Sequence, residues 1–175
     1  QIMHHRRWGW IKSVWLGVLV FLVVGSLIYT VMGTKDRLAD RFNAIPMTLD
    51  GTAYMVNAVH REDGRNLPLG PDRDAIRWLQ DNLDGSPVVL EAHGEQYHWN
   101  ARISSYTGLP TVLGWPWHQI QQRQGYRDQI AQRAADVAEI YNTADTEKAQ
   151  ELLGRYDIAY VIVGGLERIY YNQAG

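Results

Sequence analysis

An uninterrupted apolar stretch near the N-terminus constrains this chain more than any other feature. Residues Val14 to Met32 contain no charged residue, and at about 1.5 Å of rise per residue a helix of this length spans a hydrocarbon core of roughly 30 Å. Trp10 and Trp15 lie at one end and Tyr29 near the other, where amphipathic rings favour the two membrane surfaces. The sequence therefore predicts one transmembrane helix within residues 1–33.

The length of this stretch separates a transmembrane helix from a cleaved signal peptide. A signal peptide has an apolar region of about 7–15 residues followed by a small-x-small cleavage site, whereas this stretch is longer and ends in Thr30-Val31-Met32. Lys and Arg are almost equally frequent on its two sides, with a slight excess between His4 and Lys12, so we expect the N-terminus inside the cell and the rest outside. Because the chain starts with Gln1 rather than Met, we expect a processed product or the C-terminal part of a longer protein.

Composition narrows the classes of function that remain. Once one helix is subtracted, the 175 residues leave enough chain for one soluble domain. A formal net charge of -2 gives no positive field for nucleic acid, and with 0 Cys the chain has no disulfides, thiol chemistry or zinc-thiolate sites. The 7 Trp and 10 Tyr against 2 Phe favour rings with a polar handle, which suit wet interfaces and the faces of sugars.

The chain divides into three predicted segments. The transmembrane helix with its basic flank takes residues 1–33, an extended arm takes 34–70, and a domain on the extracytoplasmic side of the cell membrane takes 71–175. The arm is predicted because Pro46, Pro68 and several glycines interrupt its polar sequence.

The predicted domain alternates helices with strands. Short apolar, β-branched runs bounded by turn residues predict buried strands: Pro87–Ala92, Thr111–Trp115 and Ile158–Gly165. Apolar residues at helical spacing predict helices from Pro71 to Leu83 and from Tyr126 to Tyr141, and Asp145 suits the N-cap of a further helix. Strands separated by helices favour a small three-layer α/β domain with a mainly parallel sheet.

Polar and aromatic residues follow the predicted strands at their carboxyl ends, where an open α/β sheet binds ligands. The predicted substrate-binding residues are Glu91, Arg102, Tyr106, Trp115, His118, Arg123, Glu167 and Arg168. Guanidinium groups would suit a phosphate or carboxylate, and the rings would form aromatic walls. The alternatives stay open: loops are polar in most proteins, Trp115 and Trp117 can pack over the sheet edge, and arginines can form surface salt bridges.

Other site chemistries lack their motifs. Glu91, His93, Glu95 and His98 have a metal-like composition, but their spacing matches no standard ligand pair. The sequence around Gly164 lacks the G-x-G-x-x-G order, and neither a P-loop nor a G-x-S-x-G motif occurs. Glu91 and Glu167 would suit acid–base work only if the fold brings them together. The sequence therefore assigns no metal site, no catalytic residue and no cofactor.

Several segments, in order, resemble one family closely. They are Thr48–Met55, Ala75–Leu79, Val88–Tyr97, Arg102–Arg123, Glu139–Thr143, Leu152–Gly164 and Leu166–Tyr171. The family is the Chlor_Arch_YYY group of polytopic membrane proteins, which is similar to GT-C type glycosyltransferases. The most specific motif is TGLPTVLGW followed by His118. The family favours an acidic residue after that His and Trp before the Arg, where this chain has Gln119 and Gln122, so an acid–base role of this loop does not carry over.

The resemblance implies a role for the chain as part of a larger enzyme. In GT-C enzymes many spanning helices come first, a catalytic acidic residue lies in an early extracytoplasmic loop, and a soluble domain comes last. By this resemblance the chain would be the last helix and terminal domain, packed against further transmembrane helices, without the catalytic base. It would help to bind a polyprenyl-phosphate sugar or its acceptor. The alternative is a non-enzymatic, membrane-anchored binding or assembly domain.

Overall fold

The apolar stretch lies within a single long helix. In the computed structural model, which describes residues 2–42 and 48–171, helix α1 comprises Ile2–Phe42. Its segment Gly9–Ala39 reaches a mean hydropathy of 2.4, and none of its most apolar window is buried. Large apolar side chains exposed on all sides of a helix are unfavourable in water. The structure thus confirms a helix that is long and apolar enough to cross a membrane, while the side on which the domain lies stays a prediction.

Helix α1 continues beyond the predicted start of the arm at residue 34. No Gly or Pro occurs between Gly33 and Pro46, so nothing in this part of the sequence breaks the helix before Phe42. The chain then divides into two compact units, Gln1–Gly51 and Thr52–Gly175.

A β-hairpin occupies much of the predicted arm, so an extended arm is wrong for this part of the chain. After a short 3-10 helix, Ala53–Val56, strand β1 (Val59–Glu62) pairs antiparallel with β2 (Arg65–Pro68). The loop is Asp63-Gly64, with φ of 47° and 74°. Positive φ at both central residues is the type I′ requirement that Asp-Gly meets.

A parallel strand pair forms the centre of the second unit. Strands β3 (Val88–Leu90) and β4 (Ile158–Val161) confirm two of the predicted strands, each shorter than predicted. The predicted strand Thr111–Trp115 is reduced to one parallel bridge between Thr111 and Val89. Prolines on both sides of this run, at positions 110 and 116, supply no N–H for a ladder.

Six helices accompany the strands in the described part of this unit. They are α2 (Gly70–Asn82), α3 (Arg102–Thr107), α4 (Pro116–Gln122), α5 (Arg127–Asn142), α6 (Thr146–Arg155) and α7 (Gly165–Tyr170). The predicted helices α2, α5 and α6 are confirmed, and the side chain of Asp145 accepts hydrogen bonds from the backbone N–H groups of Glu147 and Lys148. The fold is mixed α/β, with one parallel and one antiparallel sheet; a three-layer arrangement stays a prediction.

The core consists of two apolar clusters, one on each side of β3. Val89 packs in a cluster with Ile76 of α2, whereas its neighbour Leu90 packs in another with Ile130 and Val137 of α5. Successive side chains of a strand point to opposite faces. The carboxyl end of β3 therefore emerges between these clusters, and the loop that follows it forms the candidate site.

Candidate functional site

A buried ion-pair network fills the space beyond the carboxyl ends of β3 and β4. Arg102, at the start of α3, donates Nη1 and Nη2 hydrogen bonds of 3.0 and 2.9 Å to the two carboxylate oxygens of Glu167 in α7. Its Nε lies 2.8 Å from Oδ2 of Asp72, and its side chain is 0% exposed. The same Asp72 oxygen accepts a 2.7 Å hydrogen bond from the indole of Trp99. The network therefore consists of contacts between residues of this chain.

The backbone is shaped to admit this network. The N–H groups of Ala92 and Gly164 donate to Glu167. A Cβ at Gly164 would lie 3.0 Å from Nη2 of Arg102 and 3.1 Å from Oε2 of Glu167, so a glycine lets the chain approach the pair. Burial alone would raise the pKa of Glu167, but the hydrogen bonds and charge of Arg102 outweigh it and lower the pKa below its ordinary value.

Glu91 has a different structural partner. It is fully buried, and its carboxylate accepts hydrogen bonds of 2.8 and 2.9 Å from the backbone N–H groups of Ile103 and Ser104, in the first turn of α3. Burial raises the pKa of Glu91, and these hydrogen bonds oppose the shift. Glu91 thus supplies an acceptor for the start of α3, where no side-chain cap is present. Glu91, Arg102 and Glu167, three of the predicted substrate-binding residues, thus bond to other groups of the protein.

An aromatic cluster includes one residue of the loop that joins β3 to α3. Tyr97, Trp115 and His118, which we call the aromatic cluster, have ring centroids 5.2 to 5.7 Å apart. The indole N–H of Trp115 donates to Oδ1 of buried Asn100 at 2.6 Å, which fixes the ring. Tyr97 is 78% exposed and has φ of 68°. A non-glycine residue in the left-handed region costs free energy, and here it presents an aromatic ring to solvent.

The remaining predicted residues lie apart from the ion-pair network. The hydroxyl of half-buried Tyr106 shares a 2.6 Å hydrogen bond with that of Tyr54. Arg123 and Arg168 are exposed, Arg123 directly after α4 and Arg168 within α7. Trp115 and His118 are therefore the two predicted residues that the structure brings into direct contact at an accessible surface.

A second group of polar side chains was missed by the sequence reasoning. The carboxylate of Glu62, only 5% exposed, interacts with Nε2 of His60 at 2.9 Å and Nδ1 of His98 at 3.0 Å, and accepts a 2.9 Å hydrogen bond from the hydroxyl of Tyr170. Burial alone would raise the pKa of Glu62, but together these hydrogen bonds lower it. The Asp63-Gly64 turn was the available signal, because in the strand before it His60 and Glu62 occupy the same face.

These residues border an open cleft of about 530 Å³. Its lining includes Glu62, Asp63, His93, Glu95, His98 and Tyr170. Nε2 of His93 lies 3.1 Å from the carbonyl oxygen of Ala134, and burial lowers the pKa of His93, which favours the neutral ring. Among the described residues no group of three or more His, Asp or Glu side chains is arranged to hold a metal ion. The loop that joins β3 to α3 contributes to both the cleft, through His93, Glu95 and His98, and the aromatic cluster, through Tyr97.

Comparison of the chain with protein-family models, curated proteins and solved structures found no match.

Replacing Glu62 with Gln is expected to make the second unit, Thr52–Gly175, less sensitive to acid. The folded-state pKa of Glu62 lies below the ordinary glutamate pKa of about 4.3, which the side chain has in the unfolded state. At pH values between these two pKa values, the unfolded state therefore binds more protons than the folded state. The free energy of unfolding therefore falls as the pH decreases through this interval, and a non-titrating Gln removes that part of the fall. Thermal unfolding of the full chain in detergent from pH 7 to about pH 3 measures it. Glu139→Gln, at an exposed position, is the control, and equal acid sensitivity of the two variants would contradict the assignment.

Proposed function

We propose that this chain is the C-terminal extracytoplasmic module of a GT-C-like membrane glycosyltransferase, which helps to bind a lipid-linked sugar or its acceptor without supplying the catalytic base. The proposal has three further parts: that the chain is related to the Chlor_Arch_YYY family, that its domain has three layers, and that this domain lies outside the cytoplasm. The observation that carries it is the aromatic cluster, in a chain that also has a helix apolar enough to span a membrane.

The aromatic cluster has the properties of a surface for a sugar ring. Tyr and Trp combine an apolar face with a polar group, and the apolar face of a sugar can pack on such rings while its hydroxyls remain hydrated. His118 lies in α4, and the exposed Arg123 follows the same helix. A guanidinium there would pair with the phosphate of a polyprenyl-phosphate sugar.

The buried network narrows the proposal to fewer residues. Since Glu91, Arg102 and Glu167 bond to protein groups and are buried, we assign them to the architecture of the site rather than to substrate contact. The proposed contacts are the aromatic cluster and Arg123, with Tyr106 and Arg168 less directly supported.

The alternative is a non-enzymatic, membrane-anchored binding or assembly domain. It is favoured by exposed apolar side chains in and after β4, where Val161 is 41% and Val163 59% exposed, and by Trp78 at 52%. Exposed apolar groups of this kind are typical of surfaces that contact another protein.

The deciding experiment combines Tyr97→Ser, His118→Ala and Arg123→Ala in the full-length protein. Trp115 is retained because its indole bonds to buried Asn100. We expect weaker binding of a short-chain polyprenyl-phosphate sugar in nanodiscs and slower glycosyl transfer, each by about tenfold or more, since an aromatic contact and a charge-assisted hydrogen bond are both lost.

The matched control changes an aromatic and a cationic residue elsewhere in the same unit. Trp78→Ala with Arg65→Ala, both at exposed positions, should leave binding and transfer unchanged. If the triple variant binds and transfers as the wild type does, the transferase proposal fails. A stable protein partner lost with Val161→Ser and Val163→Ser, together with no binding of the lipid-linked sugar, would establish the alternative.

A further inference from the structure

The cleft beside Glu62 is lined by the imidazole of His98, whose orientation is fixed by the buried carboxylate of Glu62. Glu62 is 6% exposed at its side chain, whereas His98 is 46% exposed. Nδ1 of His98 lies 3.0 Å from Oε1 of Glu62, and the Tyr170 hydroxyl donates to the same oxygen at 2.9 Å. The carboxylate is thus held from two sides, by the loop after β3 and by α7.

This contact determines which nitrogen of His98 is free. An ionised carboxylate only accepts hydrogen bonds, so Nδ1 of His98 carries the hydrogen, and Nε2 of the neutral ring has a lone pair. Within residues 48–171, Nε2 of His98 has no hydrogen-bond partner. His98 lines the cleft, and its free acceptor belongs to an exposed ring.

His60 provides an internal comparison. It contacts the other oxygen of the same carboxylate, but through Nε2, at 2.9 Å. Its ring packs 5.8 Å from that of Trp99, and it is not among the residues that line the cleft. The two histidines therefore share one carboxylate and differ in whether the ring faces the cleft.

The lining of the cleft indicates which ligands fit. Asp63 and Glu95 are exposed carboxylates, which accept hydrogen bonds and repel anions, and none of the described residues that line the cleft is Lys or Arg. Tyr170, Tyr171 and Ala138 add apolar surface. A ligand that donates hydrogen bonds and carries no negative charge would satisfy these groups, whereas a phosphate or carboxylate would leave its own charge unpaired.

We propose that this cleft is a second binding site, in which His98 Nε2 accepts a hydrogen bond from a hydroxyl or ammonium group of a non-anionic ligand. Glu62 is the positioning residue, and the rim carboxylates of Asp63 and Glu95 select against anions. The site goes beyond the proposed function, since it involves neither the aromatic cluster nor Arg123 and does not depend on the chain being part of a transferase.

The test uses the full chain in detergent, with isotope-labelled histidine and with glucosamine as the probe, because glucosamine carries both hydroxyls and an ammonium. NMR should show His98 with its hydrogen on Nδ1, and glucosamine should shift the His98 ring signals saturably while those of His60 move less. Its phosphate monoester, which differs by one anionic group, should bind at least about tenfold more weakly. An Nε2–H tautomer, no saturable shift at His98, or equal binding of the phosphate monoester would overturn the proposal.

Matched variants separate binding from folding. His98→Gln and His60→Gln each remove one ring from the Glu62 carboxylate, so a merely structural role predicts equal effects. We expect calorimetry to show glucosamine binding reduced about tenfold or more in His98→Gln and unchanged in His60→Gln. Equal losses in the two variants would refute the site. Combined His118→Ala and Arg123→Ala should leave the glucosamine-induced shift of the His98 ring signals unchanged, so failure of the transferase proposal remains distinguishable from failure of this one.

Discussion

Replacing Arg102 with Met is expected to destabilise the second unit by about 3–5 kcal/mol, the usual cost of breaking a buried ion pair by removal of one partner. The Arg102 side chain is 0% exposed and interacts with both Glu167 and Asp72. Met retains much of the apolar stem, so the principal loss is the charge and its hydrogen bonds. The two carboxylates would then be left near each other without a cation. Denaturant unfolding of the full chain in detergent measures the loss.

The control for this prediction is an exposed ion pair in the same unit. Nζ of Lys148 lies 2.9 Å from Oε2 of Glu151, with side chains 41% and 55% exposed. Solvent and salt screen such a pair, so Lys148→Met should change the free energy of unfolding by about 0–1 kcal/mol. A change in Arg102→Met as small as that in Lys148→Met would show that the buried pair does not hold the strand ends together.

The parts of the fold that depend on local pattern were predictable from the sequence. The apolar stripe of α5, the Asp145 cap of α6 and the two runs that became β3 and β4 each produce a signal within a few residues. The hairpin was equally local, in the form of Asp63-Gly64, but the polar sequence around it resembled a connecting arm. The pairing of Thr111 depends on Val89, which is distant in sequence. The periodicity of apolar residues along the chain does not specify such a partner.

The position of the candidate site was a prediction from the strand ends, and it stays one. The strand-end rule led to the loops that contain the aromatic cluster and the buried network, but charged residues at strand ends can bind either a ligand or each other. Arg102 and Glu167, 65 positions apart, serve each other. The Glu62 group was harder to predict, since Glu62 and Tyr170 are separated by 108 positions and neither was a predicted site residue.

Two groups of accessible rings involve the loop that joins β3 to α3. An open α/β sheet offers a crevice at its strand ends, and here Arg102, Glu167 and Asp72 fill that position with internal partners. The loop after β3 is held at its base by Glu91 and at Ala92 by Glu167. The accessible rings of this loop have other partners: Tyr97 packs beside Trp115, and His98 lies beside Glu62.

Two arginines near the centre of α1 should abolish membrane integration. Leu22→Arg and Val23→Arg lie midway along the apolar run, where each Arg costs about 2.5–3.5 kcal/mol on insertion scales. Both side chains are about half exposed, at 61% and 49%, so neither residue has a packed environment in the described structure that the change would disrupt. The double variant should therefore leave the membrane fraction on alkaline carbonate extraction, whereas the wild-type chain should remain in it.

The matched control places a single arginine on the same helix outside the apolar core. Leu38 is 53% exposed and stands among the charged residues that follow the run, where an arginine can reach the polar membrane surface at little cost. Leu38→Arg should therefore remain in the membrane fraction. If the central double variant were retained as firmly as Leu38→Arg, the second unit or another part of the protein would have to provide the membrane attachment, and α1 would not be the anchor.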